Sequence, residues 1–378
     1  MCETKSSMNI AIIDNNIFAV NSIRAQLIQV LIAKGYCVTV LTSGALEQLQ
    51  EASKKGFVVI DIGSSVQNPL HILCYLLRMY WALKAAKIDL CLTFTIRPAI
   101  WGNIVCRVAR IPTVTNITGI GPLFNNGSVA YKGARILYRS ALRRSAKIFF
   151  QNNDDLQIFI QKGFADSAVS EKLAGSGVDH EHYAPQEKEG ENGKFNFLFI
   201  SRLVKDKGIV EYVNAARMLK EELPNAVFSV LGPLWSQNLK HNTVTKDELD
   251  QWVKEGIIVY LGETENTRDF IAQADCVVLP SYREGASNVL LEASSMERPC
   301  ITCNTTGCKE IVEDGVTGYL CRVRDPKDLA DKMRKMFYLS DQERIEMGKR
   351  GRQKVIREFD RKVVINTYLT AIEQIINK

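Results

Sequence analysis

Cys276-Val277-Val278-Leu279-Pro280-Ser281-Tyr282-Arg283-Glu284-Gly285, continued by Ala286-Ser287-Asn288-Val289-Leu290-Leu291-Glu292, holds a strand end, a loop of small residues and a helix start. The apolar run 276–279 reads as a buried strand. Gly285 to Asn288 carries no bulky side chain, so a ligand can approach the backbone. Residues 289–295 have the composition of a helix whose free N–H groups face that loop. Such a helix start favours anions, phosphate above all. The plainer alternative is a surface loop before an ordinary helix, with Glu292 solvated.

The same strand–loop–helix unit recurs along the chain. In the second half, 197–200, 227–231, 257–261 and 300–303 read as strands, and 209–222 as a helix. In the first half, 9–13, 37–41, 57–61, 89–95 and 113–116 read as strands, with helices over 22–34 and 69–87. Short connections between alternating strands and helices argue for parallel sheets with helices on both faces. The pattern breaks once, in the polar and glycine-containing run 184–193, which reads as an interdomain linker. The expectation is therefore an α/β chain of two Rossmann-like, doubly wound domains, 8–185 and 194–360, facing a central cleft. A terminal helix within 361–378 is long enough to pack back on the first domain.

Composition narrows the function classes. The chain has 378 residues, long for one core and suited to two domains. Apolar residues make up 46% and charged residues 24%, which excludes a disordered chain. No apolar run reaches the roughly 18 residues a spanning helix needs, and the N-terminus lacks a signal-peptide core. A cytoplasmic location follows as an expectation. The ten cysteines read as isolated reduced thiols, with no metal site. Cys300 and Cys303 have metal-like spacing, but on a strand that odd offset points their side chains to opposite faces. Residues 1–185 hold 19 Lys/Arg against 12 Asp/Glu, while the remainder holds 29 against 30. That excess is too small for nucleic acid and suits an anionic substrate or membrane surface.

Ser201-Arg202-Leu203-Val204-Lys205-Asp206-Lys207-Gly208 follows the first strand of the second half. Cations at the carboxyl end of a strand, before a helix, suit a diphosphate. Arg202 can grip two oxygens, and Lys207 acts as a point charge. The alternative is a solvated basic turn. Both this loop and the Glu284–Glu292 segment lie at carboxyl ends of strands in one sheet, where doubly wound folds bind ligands. A carboxylate on vicinal hydroxyls is how such folds hold a ribose, and Glu292 is placed for that. Glu284, in the loop, can meet the hydroxyls of a second sugar. Ribose, diphosphate and sugar together describe a nucleotide sugar.

With those residues quoted, the chain resembles the GT4 retaining glycosyltransferases of the GT-B fold over almost its whole length. Gly307-Cys308-Lys309-Glu310-Ile311-Val312 and Gly315-x-Thr317-Gly318-Tyr319 match the family's C-terminal half. Thr118-Gly119-Ile120-Gly121-Pro122-Leu123-Phe124 looks closest to a bacterial subgroup. That subgroup adds N-acetylhexosamine, typically N-acetylgalactosamine in α-1,3 linkage, to undecaprenyl-diphosphate-linked sugars of O-antigen, capsule or related glycans. The resemblance implies that Arg202 and Lys207 neutralise the leaving diphosphate and that Glu284 holds the donor sugar. Glu292 and Gly285 would bind the donor, with Ser287 and Asn288 on its β-phosphate; Thr118, Gly119 and Gly121 would bind the acceptor. It implies a UDP-sugar donor as substrate and neither cofactor nor metal, no Asp-x-Asp motif being present. Two features depart from the family. Asn15-Asn16 stands where relatives carry a glycine pair, and Asn116 and Thr118 stand where many carry a histidine or an acid.

Residues 131–147 contain Lys132, Arg135, Arg139, Arg143, Arg144 and Lys147 and no acid. Positions 132, 135, 139 and 143 form one helical stripe, with Ile136, Leu137 and Leu142 expected on core-facing sides. Such a helix suits an anionic leaflet and peripheral attachment to the inner face of the cell membrane. The segment 70–87, with its aromatics, is read as core, with a contribution to that membrane contact as the alternative. Two other functions remain at this stage: a nucleotide-sugar epimerase of the same two-domain plan, and a non-catalytic sugar-nucleotide-binding protein.

Overall fold

The computed structural model describes residues 8–63, 68–120, 129–188, 193–235 and 242–377. Two compact units divide the chain. One comprises residues 1–173 with 364–378, the other 174–363.

The first unit is built on β1 (Asn9–Ile13), β2 (Cys37–Thr42), β3 (Val58–Asp61), β4 (Leu90–Phe94), β5 (Thr113–Ile117), β6 (Lys147–Phe150) and β7 (Ser170–Lys172). All pair in parallel, in the order β3-β2-β1-β4-β5-β6-β7. β1 and β4 are central and read as nearly continuous apolar runs, apart from Asn9 and Thr93, because both their faces are covered. The order reverses between β1 and β4, the switch point at which open α/β sheets bind ligands. The second unit contains β8 (Phe195–Ile200), β9 (Ala226–Leu231), β10 (Val259–Tyr260), β11 (Cys276–Leu279), β12 (Cys300–Cys303) and β13 (Gly318–Cys321). This sheet is also parallel, in the order β10-β9-β8-β11-β12-β13, with its switch point between β8 and β11.

Several expectations shift in detail. The helix read over 22–34 is two pieces, Ile17–Asn21 and Ala25–Ala33. Asn16 starts the first of them, its side chain accepting the Phe18 N–H at 2.8 Å. The strand read over 257–261 shrinks to Val259–Tyr260, which has one neighbour, β9, at the sheet edge. Part of the expected linker, 189–192, lies outside the described residues. The segment before it is bound to the second unit. Val178 N–H donates to the Phe359 carbonyl at 2.8 Å, and the Ser295 hydroxyl to the Tyr183 carbonyl at 2.8 Å.

Two helices of the first unit correct the reading of core. In Pro69–Ala85, Tyr75, Met79 and Leu83 are buried, but Leu70, Leu73, Leu77 and Trp81 are exposed. In Val129–Leu142, Tyr138 and Leu142 pack inward, whereas Ile136 is exposed. The reason is helical phase: Ile136 stands one turn before Arg139 and falls in the charged stripe. No helix of the described residues is long and apolar enough to cross a membrane.

Candidate functional site

At the carboxyl end of β8 the chain runs through Ser201 and Arg202 into a short turn, Lys205–Lys207, and then the helix Ile209–Leu219. Gly208 joins them at a φ of 78°, and a Cβ there would stand 2.1 Å from the Pro280 carbonyl oxygen. Only glycine lets the two backbones meet so closely. The β8 and β11 loops are further joined by Tyr282 N–H, which donates to the Asp206 carbonyl at 2.9 Å. The buried Ser281 hydroxyl donates to the same oxygen at 3.3 Å. These contacts deliver Lys207 onto Glu284, with 2.5 Å between Nζ and Oε1 and both side chains largely out of water.

The loop after β12 closes the other side. Glu284 N–H donates to the Thr306 carbonyl at 3.0 Å, and Ser287 N–H to the Gly307 carbonyl at 3.2 Å. Gly307, at a φ of 79°, would carry a Cβ 2.4 Å from the Glu284 carbonyl oxygen. Its own N–H is taken by the Glu310 carboxylate at 2.8 Å. Ser287 caps the helix Asn288–Ser295, its hydroxyl accepting the Leu290 N–H at 3.4 Å. The Asn288 Oδ1 is buried with no hydrogen-bond partner among the described residues. An acceptor orphaned in this way calls for a donor from elsewhere, and a ligand hydroxyl would satisfy it.

Glu292 lies one turn into that helix. Thr267 Oγ1 donates to its Oε2 at 3.3 Å, the Tyr183 hydroxyl makes a further hydrogen bond, and Arg361 supplies nearby positive charge. Removal from water nevertheless pushes the Glu292 carboxyl up to about 7, against the pull of all three. Burial and the facing carboxylate raise the Tyr183 hydroxyl to about 12, so it stays a donor. Arg202 is exposed, its guanidinium carbon 4.7 Å from the centre of the Trp235 ring.

The expected residues thus divide. Lys207, Glu284, Gly285, Ser287 and Asn288 converge at the ends of β8, β11 and β12, with Glu292 deeper on the helix. Arg202 sits at the outer side of the β8 loop. In the first unit, Thr118 and Gly119 follow β5, both half-exposed, with Gly119 at a φ of 141°. Gly121 lies outside the described residues. Asn116, beside them, is buried and donates from Nδ2 to the hydroxyl of Tyr368. Among the described residues, no group of three His, Cys, Asp or Glu is placed to hold a metal ion. The described cysteines are free thiols.

Tyr183, Thr267 and Trp235 were not among the expected site residues. Trp235 had a usable signal, because Gly232-Pro233-Leu234-Trp235 follows β9 at the same end of the sheet as Arg202. Tyr183 and Thr267 had none, since their contact with Glu292 joins three distant stretches of chain.

Residues 184–354 match the family described as Glycosyl transferases group 1. Over 334 residues the chain is 26% identical to the Escherichia coli UDP-Gal:alpha-D-GlcNAc-diphosphoundecaprenol alpha-1,3-galactosyltransferase, covering 84% of this chain and 83% of that one. It is 20% identical over 336 residues to the Campylobacter jejuni N,N'-diacetylbacillosaminyl-diphospho-undecaprenol alpha-1,3-N-acetylgalactosaminyltransferase, covering 84% and 86%. Among solved structures, Anabaena Alr3699/HepE in complex with UDP and glucose superposes with a TM-score of 0.80 at 19% identity, over 97% of this chain and 99% of that one. A glycosyltransferase from Rickettsia africae does so at 0.79 and 16%, over 98% and 99%. The chain is a glycosyltransferase of the GT-B fold, with a group 1 domain over 184–354.

Proposed function

We propose that this glycosyltransferase moves a hexose or N-acetylhexosamine from a UDP-sugar to an undecaprenyl-diphosphate-linked sugar during surface-glycan assembly, with retention at the anomeric carbon. The observation that carries the reading is the Lys207–Glu284 pair, set between the β8 loop and the capped helix Asn288–Ser295. The names of the Escherichia coli and Campylobacter jejuni relatives support the donor and acceptor classes. Within those classes our specific assignment is N-acetylgalactosamine in α-1,3 linkage.

In this reading Lys207 exchanges its carboxylate partner for a phosphate oxygen when the donor enters, and Arg202 adds a second cation. Glu284, released, accepts hydrogen bonds from the donor sugar. Glu292 holds the ribose hydroxyls, and Ser287 and Asn288 meet the β-phosphate. The bond between anomeric carbon and phosphate oxygen breaks as the acceptor hydroxyl attacks from the same face. The acceptor proton passes to the departing diphosphate. Cations preorganised on that leaving group supply the main rate acceleration, so the paired-carboxylate scheme of glycosidases does not apply. Thr118, Gly119 and Gly121 are assigned to the acceptor, which a basic helical face would meet at the inner side of the cell membrane.

A panel of UDP-sugars offered with a short-chain polyprenyl-diphosphate-sugar tests the proposal, with product linkage read by NMR. The expected result is α-linked transfer from one preferred donor. Donor interconversion without an acceptor would make the protein an epimerase. Binding of UDP without turnover would make it a non-catalytic binder.

A further inference from the structure

The helix Pro69–Ala85 carries large apolar residues on two opposite sides, with His71, Arg78 and Lys84 beside them, yet only one of those sides is covered. Tyr75, Met79 and Leu83 pack on the sheet of the first unit. At 100° per residue, Leu70, Leu73, Leu77 and Trp81 share the opposite, narrow face. They are 71%, 53%, 49% and 66% exposed. The stripe runs about 16 Å along the helix, at 1.5 Å per residue. A contiguous exposed apolar stripe of this kind, rimmed by polar residues, marks a surface that meets a partner or a membrane.

Its neighbours say what covers it. β3 to β4, β4 to β5 and β5 to β6 all step the same way across the sheet, so right-handed crossovers put their helices on one face. Lys84 Nζ donates to the Ala109 carbonyl at 3.4 Å, tying this helix to Asn103–Ala109. Arg107 donates to the Ser140 carbonyl at 3.1 Å, tying that helix to Val129–Leu142. Exposed Val108 and Ile136 stand among exposed Arg78, Arg107, Arg110, Arg139 and Arg143. Between positions 61 and 153 the sequence has 12 Lys/Arg and two acids, Asp89 and Asp61, the latter beside Leu77, Arg78 and Trp81. A second copy of this face would be repelled by like charge, whereas an anionic leaflet complements both its charge and its apolar stripe.

We propose that the exposed stripe Leu70–Leu73–Leu77–Trp81 enters the acyl boundary of an anionic phospholipid membrane, flanked by the cations of the neighbouring helices. This deepens the function proposed above by naming a lipid surface as partner. It differs from attachment by the basic helix alone, because apolar entry survives salt and electrostatic attraction does not. Each cation near the surface adds about fivefold to the affinity.

The test uses the full chain with vesicles of phosphatidylcholine alone or mixed with phosphatidylglycerol, in 0.1 M and 0.5 M salt. Phosphatidylcholine brominated along its acyl chains reports the depth of Trp81 by quenching, and Trp81→Phe assigns the signal. The expected results are preference for anionic vesicles, binding that persists in part at 0.5 M salt, and quenching that Trp81→Phe abolishes. The triple variant Leu73→Ser, Leu77→Ser, Trp81→Ser should bind at least tenfold more weakly, with circular dichroism and turnover of a water-soluble short-chain acceptor unchanged. Unquenched Trp81 in vesicle-bound protein overturns the proposal. So does triple-variant binding equal to that of the unaltered protein, or a concentration-dependent dimer that covers Trp81 without lipid. Vesicle insertion without any sugar transfer would instead refute the transferase reading and leave this one standing.

Discussion

The two units end their parallel sheets in loops of similar layout and opposite chemistry. In the second unit, charge stands at the loops, Lys207 on Glu284 at 2.5 Å, with Glu292 deeper on the helix behind them, held by Thr267 and Tyr183. In the first unit, charge is drawn inward. Asp14 and Arg24 pair at 3.3 Å, both buried, with Arg24 lying 4.0 Å from the centre of the Phe94 ring. Between the β1 and β4 ends an amide meets a hydroxyl, Asn15 donating from Nδ2 to Thr95 Oγ1 at 2.7 Å, with exposed Arg97 just beyond. In the proposed function the second unit's frame would take the donor diphosphate, which needs fixed charge. In that reading the other would receive the acceptor sugar, whose hydroxyls need hydrogen bonds.

The contrast breaks most sharply at Lys207. Lys207→Ala should lower sugar transfer on the order of 100-fold or more, with the fold intact, because it removes preorganised charge from the leaving group. Transfer within threefold of the unaltered protein would end the assignment. Glu284→Ala should cost a similar factor, and its effect should not add to that of Lys207→Ala, since the two act as one pair.

Glu292 ties the contrast to pH. With its carboxyl at about 7, UDP should bind more weakly as pH falls through that value and the carboxylate gains a proton. Calorimetry from pH 5.5 to 8.5 reads this, and Glu292→Gln should flatten the curve. For folding the sign is opposite. The unfolded chain gives up this proton near 4.5, so ligand-free stability falls as pH rises from there to about 7 and levels off above. The decline is on the order of 3 kcal/mol, since each tenfold difference in proton affinity between the folded and unfolded chain is worth about 1.4 kcal/mol. A Glu292→Gln protein with the same pH profile would exclude this carboxyl as its source.

In the first unit, Tyr368→Phe leaves the buried Asn116 amide without its acceptor and should cost roughly 1–3 kcal/mol of stability. Thermal denaturation measures it, and donor KM should not move. A shift in donor KM with Tm unchanged would contradict a purely structural role. The smallest effect belongs to Trp235→Ala, which removes the ring beneath Arg202 and should raise donor KM a few-fold, equivalent to about 0.5–1 kcal/mol. Unaltered donor kinetics would make that stacking incidental.

The same contrast explains what could be read from sequence. β8, β11 and β12 are covered on both faces, so each appears as a largely apolar run, broken only by Asn196 and Thr302, whose end marks a ligand loop. Lys207, Glu284 and Ser287 sit within a few residues of those ends and were visible as motifs. Tyr183 and Thr267 reach Glu292 from stretches with no local pattern, and only folding brings them together. The helix Pro69–Ala85 misled for a related reason. Its composition reports that it is apolar, but whether a second layer covers it is a property of the packed unit. The edge strand β10 was overestimated because an apolar run does not reveal how many neighbours a strand has.

The position of Tyr368 also dictates an order of events at the ribosome. Its ring packs on Phe94 and Phe149 in the first unit, although it is encoded after the whole of the second. The second unit, continuous from 174 to 363, can fold as soon as it emerges. The first has to wait for the chain's last residues, roughly 10–40 s beyond position 173 at the usual 5–20 residues per second. During that interval its central strands lack the helix that completes their cover. A truncation that removes the final helix should therefore yield an aggregating first unit beside an intact second one.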